Sequence, residues 1–182
     1  MIYYLVAILD SHSYSRIEEI QRDICLKYNL FAMEDKLPKL HITLETIEDP
    51  DLEVLDKAIK EVLVNYSSFK TLCKGIICFE PPYKSVNLEI HDNGEVKALS
   101  SDLNATLESC GLKVRKNIQD YKFHISLANT YFSNRDWSEF EYKAACTFAK
   151  DLCCPIEINI FELQLWKPIH DESKMVVYTY TL

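Results

Sequence analysis

Two short stretches of the chain place a histidine and a hydroxyl in the same order. "LPKLHITLETI", residues 37 to 47, sets His41 and Thr43 among Leu40, Ile42 and Leu44. "DYKFHISLANT", residues 120 to 130, sets His124 and Ser126 among Phe123, Ile125 and Leu127. Side chains alternate across a strand, so each stretch turns its imidazole and hydroxyl to one face and its three apolar side chains to the other. Imidazole titrates near pH 6.5, so one histidine of a pair can be a neutral base while the other is a cationic acid. A hydroxyl beside each can donate to an oxygen on which negative charge accumulates. Together they form a set for moving protons on and off one reacting centre.

The elements that must carry these stretches follow from hydrophobic periodicity. Residues 2–9 read as a buried strand. Residues 14–31 read as a helix with Ile17, Ile20, Ile24, Tyr28 and Phe31 on one face, capped by Ser11, Ser13 or Ser15. The first His strand spans 39–47. A helix with Leu52, Leu55, Ile59, Val62 and Tyr66 inward comes next, opened by acids in its first turn. Residues 69–79 and 85–91 form a hairpin around "EPPYK". Its second strand is expected to be half buried, Val86, Leu88 and Ile90 alternating with Ser85, Asn87 and Glu89. A helix carrying Val96, Leu99, Leu103 and Leu107 ends at Gly111, a left-handed C-cap position. The second His strand spans 120–131. A helix with Trp137, Phe140, Ala144 and Phe148 on one face and strands at 156–166 and 175–182 complete the order.

That order, β-α-β-α-β-β then α-β-α-β-β, contains a cryptic repeat in which each His strand is followed by a helix and a strand pair. It implies an α+β fold with two related lobes, and no linker or low-complexity segment divides residues 1–182.

Composition narrows the function. The 182 residues are 48% hydrophobic and 26% charged, an ordinary globular balance. The formal net charge of −8 argues against a protein that coats long nucleic acid, while leaving room for a nucleotide or an RNA end held by a few contacts. No apolar run approaches a membrane span, and "MIYYLVAILD" reads as a strand rather than a signal peptide. The seven cysteines form no CxxC pair and read as reduced core residues of a cytoplasmic protein.

"LHITL" and "FHISL", roughly 80 residues apart, resemble the paired motifs of the 2H (two-histidine) phosphoesterase superfamily, which includes bacterial 2′-5′ RNA ligase-like proteins and cyclic phosphodiesterases. The resemblance covers the whole chain. It implies two pseudo-twofold lobes, each a mostly antiparallel sheet with flanking helices, around a central cleft, with motifs at 40–44 and 123–127. It also implies a metal-independent phosphodiesterase without a cofactor, acting on 2′,3′-cyclic or related cyclic nucleotide phosphates or on 2′-5′ linkages. His41 and His124 would be the acid–base pair, and Thr43 and Ser126 would bind the phosphate. Which histidine is acid stays open. An RNA 3′-end exoribonuclease and a non-catalytic nucleotide- or RNA-end-binding protein are the alternatives on the same fold. A monomer is expected.

Two positions depart from the family pattern. Glu45 follows the first motif and by alternation shares the His41 face, where it would raise that histidine's pKa or repel a second phosphate. Asn129 stands where many members have arginine. Tyr83, Tyr121, Tyr131 and Trp166 are candidates to stack on a base. Lys39 and Lys122 are candidates for substrate binding, within a basic rim that adds Lys36, Lys113, Arg115 and Lys116. His41 with Glu45 lacks a third ligand at a metal-site spacing, and no cysteine has a nucleophile's setting. His12, His91 and His170 read as surface residues.

Overall fold

The computed structural model describes residues 1–30, 37–91, 94–130, 133, 135–153, 155–169 and 172–182. Phe31, Lys36, Tyr131, Cys154 and His170 therefore lie outside the described residues.

The element order is β1 (Ile2–Leu9), α1 (Ser11–Tyr28), β2 (Ile42–Glu48), α2 (Leu52–Leu63), β3 (Phe69–Phe79), β4 (Ser85–His91), α3 (Glu95–Ser109), β5 (Lys113–Val114), β6 (His124–Ala128), α4 (Glu139–Leu152), β7 (Ile156–Trp166), α5 (Glu172–Met175) and β8 (Val176–Thr181). This is the predicted α+β order with three short additions: β5, α5 and a 3₁₀ turn at Ile118–Asp120.

All eight strands form one antiparallel sheet in the order β5-β2-β1-β7-β3-β4-β6, with β8 added to β7. The repeat is interleaved. β1-α1-β2-α2-β3 corresponds to β4-α3-β6-α4-β7, yet β1, paired with β2, takes β7 as its other neighbour, and β4, paired with β6, takes β3. Each half thus borrows its third strand from the other copy. β2 and β6 lie near opposite ends of the strand order and still touch, so the sheet curls to bring the two His strands face to face.

The apolar faces of those strands anchor them. Leu40, Ile42, Leu44, Phe123, Ile125 and Leu127 are each no more than 5% exposed. Each contributes roughly 1.5–3 kcal/mol of burial. Asp10 caps α1 by accepting from the amides of His12 and Ser13. The helix therefore starts three residues earlier than expected, and Ser13 donates to the Asp10 cap instead of capping the helix itself. Asp51 caps α2, and Ser138 opens α4 with a capping box closed by Glu141.

Three expectations are corrected. The buried face of α4 is Tyr142, Ala145, Cys146 and Ala149, while Phe140 is 82% exposed. Trp137 is buried but precedes the helix, so reading it as part of the helical period rotated the face. β4 is buried on both sides, Ser85 and Asn87 included: α4 packs against it, and Asn87 bonds Ser85, Ser126 and the Ile77 carbonyl, so the buried polar groups are satisfied. The cysteines are not all free: Cys78 on β3 is bonded to Cys146 on α4. Among the described residues no helix is long and apolar enough to cross a membrane.

Candidate active site

His41 immediately precedes β2 and His124 opens β6. Each ring is fixed in the same way. His41 Nδ1 donates to the carbonyl of Lys39 at 2.8 Å, and His124 Nδ1 donates to the carbonyl of Lys122 at 2.7 Å. A carbonyl only accepts, so Nδ1 carries the proton in both rings and Nε2 is the atom left to gain or lose one.

An aromatic ring from the borrowed strand braces each imidazole. Trp166, the last residue of β7, meets His41 edge-on at 4.7 Å between centroids. Phe79, the last residue of β3, meets His124 at 4.8 Å, and Tyr121 lies 6.0 Å from the same ring. Lys39 Nζ sits 5.2 Å over the Trp166 ring.

The surroundings hold both imidazoles towards the neutral form. Burial lowers the His41 pKa to about 4, reinforced by the nearby charges of His124 and Lys39 and opposed by the bond to the Lys39 carbonyl. Burial also lowers that of His124, with the Arg115 charge adding to it and the bond to the Lys122 carbonyl opposing. The charge of His124 is among the causes that lower the His41 pKa, so the two rings interact electrostatically.

The hydroxyls differ. Ser126 Oγ donates to Asn87 Oδ1 at 2.9 Å, and Asn87 is oriented by its own Nδ2 bonds to the Ile77 carbonyl and to Ser85. Among the described residues nothing engages the Thr43 hydroxyl. Sequence reading missed Asn87; its place in an otherwise alternating apolar strand is the signal that could have drawn attention to it.

Glu45 does not share the His41 face. Thr43 pairs with Val6 and Glu45 with Leu5, so Leu44 is an extra residue, a bulge that resets the alternation. Glu45 therefore turns inward and is fully buried. Its carboxylate accepts from the amides of Thr46 and Arg115 and from Asn104 Nδ2, and lies 3.9 Å from Arg115 Nε. The Arg115 guanidinium in turn stacks on the Tyr121 ring at 3.6 Å. A carboxylate from the first motif strand thus steadies the cation and ring beside the second histidine. A matching bulge follows Ser126, where Leu127 is the extra residue between the Asn87–Ser126 and Val86–Ala128 pairs.

Of the other candidates, Trp166 is only 6% exposed and buttresses His41 rather than offering an open stacking face. Tyr121 is partly exposed with one face under Arg115. Tyr83 is 72% exposed on the β3–β4 turn, outside both ring clusters. Among the described residues no group of three or more His, Cys, Asp or Glu side chains is placed to hold a metal ion.

The model of the 2′-5′ RNA ligase superfamily matches residues 9–172. No curated protein matches the chain significantly. Among solved structures, TT0787 of Thermus thermophilus superposes with a TM-score of 0.66 at 15% identity, covering 100% of this chain and 98% of that one. LigT of E. coli, complexed with 3′-AMP, gives 0.62 at 13% identity over 99% and 97%. Usb1 of Kluyveromyces marxianus gives 0.51 at 14% over 100% and 98%.

Proposed function

From the premise that the chain belongs to the 2′-5′ RNA ligase superfamily of 2H phosphoesterases, we propose that it is a metal-independent phosphodiesterase that opens 2′,3′-cyclic nucleotide phosphates or cleaves 2′-5′ linkages by acid–base catalysis. The observation that carries this reading is the matched locking of His41 and His124 through Nδ1, which leaves two Nε2 atoms for one phosphate. The 3′-AMP bound by LigT, a nucleoside phosphate with an adjacent 2′-hydroxyl, is in keeping with such a ligand.

In-line displacement at phosphorus needs a base on the attacking oxygen and an acid on the departing one. His41, whose pKa is driven down to about 4, is the base: its Nε2 takes a proton from water as the new P–O bond forms. His124 is the acid, its Nε2–H protonating the ribose oxygen as the old P–O bond breaks. Thr43 and Ser126 donate to the non-bridging oxygens. Each such role contributes about two to three powers of ten in rate.

The test is a panel of 2′,3′-cyclic nucleotides and of 2′-5′ and 3′-5′ dinucleotides incubated with EDTA and read by product mass. Ring-opened or cleaved product is expected in EDTA. A strict requirement for divalent metal, or binding without turnover of any member, would discard the mechanism.

A further inference from the structure

Glu45 belongs to the strand of the first histidine, yet its contacts lead to the second. The bulge at Leu44 turns it inward to 0% exposure, where a charge is costly unless it is paired. β5 delivers the pair. Ile47 lies opposite Val114 and Glu48 opposite Lys113, so the chain leaving β5 brings Arg115 alongside Glu45. The Arg115 amide donates to Glu45 Oε1 at 3.1 Å. Asn104 on α3 donates from Nδ2 both to Glu45 Oε2 at 2.6 Å and to the Arg115 carbonyl at 2.9 Å. The carboxylate and the backbone of Arg115 are thereby locked together.

The guanidinium is held differently. Its Nε lies 3.9 Å from Glu45 Oε1, and its Nη1 is buried without a hydrogen-bond partner among the described residues. Its face rests on the Tyr121 ring at 3.6 Å. Coulomb attraction and stacking, not a hydrogen-bonded fork, keep the cation in place. Tyr121 in turn lies 6.0 Å from the His124 ring, and Arg115 is the charge that lowers the pKa of that imidazole. The other titratable groups around His124 are Tyr121, His41 of the first half, Lys122 two residues before it and Glu89, its partner on β4. Glu45 and Arg115 also act on the Tyr121 phenol with opposite signs: burial pushes its pKa up, Arg115 draws it down, and Glu45 adds to the rise.

Resting on the acid–base reading of the cleft, we propose that Glu45 is a positioning residue for His124: from the strand that follows the base, it keeps the Arg115 cation seated on Tyr121 beside the acid. Its effect passes through the cation. With Glu45 neutralised, a guanidinium whose side chain is 14% exposed has no counter-charge, and it leaves the ring for solvent. His124 then loses a neighbouring positive charge and binds its proton more readily. Removing a negative charge thus makes a histidine easier to protonate, the reverse of what direct electrostatics between Glu45 and His124 would give. The strand beside the first imidazole therefore sets the ionisation of the second.

The test is an NMR titration of ring-labelled histidine in the whole protein, with the His124 signal assigned by its loss in His124→Ala. The His124 midpoint is expected to move up in Glu45→Gln as far as in Arg115→Met, and no further in Glu45→Gln/Arg115→Met. Glu45→Asp, which keeps the charge but draws it back by one methylene, should move it part of the way. The alkaline limb of kcat/KM on a 2′,3′-cyclic nucleotide should follow the midpoint. A midpoint that falls in Glu45→Gln means that the carboxylate acts on His124 directly, and one that stays means that it only fastens backbone; either overturns the assignment. Should Glu45→Gln not fold, the direction of the Glu45→Asp shift decides in the same way. Failure of the cleft reading has another signature: wild type turns over no cyclic nucleotide, and the catalytic role of Glu45 then falls with it even where the midpoint moves.

Discussion

The two motif halves are near copies in backbone and unlike in what surrounds the hydroxyl. Thr43 pairs with Val6 on β1, while Ser126 pairs with Asn87 on β4. Opposite the apolar Val6, the threonine proton has no acceptor among the described residues. Asn87 takes the serine proton, which must swing away before it can serve a phosphate oxygen, losing a neutral hydrogen bond of about 1 kcal/mol. The histidines differ in the same sense. His41 is driven furthest towards the neutral form, and the cation acting on His124 is Arg115, itself tied to Glu45. Pseudo-symmetry therefore supplies two equivalent frames, and in the proposed mechanism the partner strands make one half a base with a ready donor and the other an acid with a tethered one.

The sharpest way to break this comparison is to remove each imidazole. His41→Ala and His124→Ala should each lower kcat about 10³-fold or more, with the double variant little worse than either, since acid and base serve one transition state. Stability at neutral pH should change by about 1 kcal/mol or less, because the apolar faces beneath stay packed. A fully active His124→Ala protein, assayed on the cyclic substrate, would end the acid assignment.

The hydroxyls come next. Thr43→Val should cost about 10²-fold in kcat and Ser126→Ala about tenfold, since only the second donor must first break a bond. Equal losses would mean that Asn87 does not restrain Ser126 during turnover.

The division of roles also fixes the pH profile. Under the proposed mechanism His41 must be neutral, hence pH above about 4, and His124 protonated, hence pH below its own lowered value. So kcat/KM should be bell-shaped with its maximum on the acid side of pH 6.5. Arg115→Met should move the alkaline limb upward by removing a nearby charge. A limb that stays in place would detach Arg115 from His124.

The smallest expected effect is on stability. The folded His41 binds its proton near pH 4 whereas the unfolded chain binds it near pH 6.5. The unfolded state therefore gains protons first as pH falls, and stability present above pH 6.5 is lost towards pH 4, by about 3 kcal/mol at most. His41→Gln should flatten that part of a denaturation-versus-pH series; an unchanged acid slope would place the shift elsewhere.

Much of this was legible in advance. The repeated apolar-His-apolar-hydroxyl-apolar run identified both strands, and periodicity located the major elements, because each carries a strong apolar face of its own. What escaped depends on pairs of strands. The bulges at Leu44 and Leu127 exist only relative to β1 and β4, so simple alternation sent Glu45 to the wrong face. The partner of Ser126 sits on a strand chosen by the topology, and the exchange of β3 and β7 between halves leaves no trace in local pattern. The bond between Cys78 and Cys146 likewise joins elements that only the fold brings together.

The exchange of third strands bears on how the chain is made. β1 stays without one of its neighbours until β7, some 150 residues later, has left the ribosome, since Leu5 pairs with Leu165. β7 also pairs with β3 through Ile156–Ile160, so the same late segment closes both halves. The first motif can be fully synthesised and still lack Trp166 behind its histidine. Pairings this distant along the chain put the protein among slow folders. During translation the exposed edges of β1 and β3 would be the surfaces a nascent-chain chaperone has to shield.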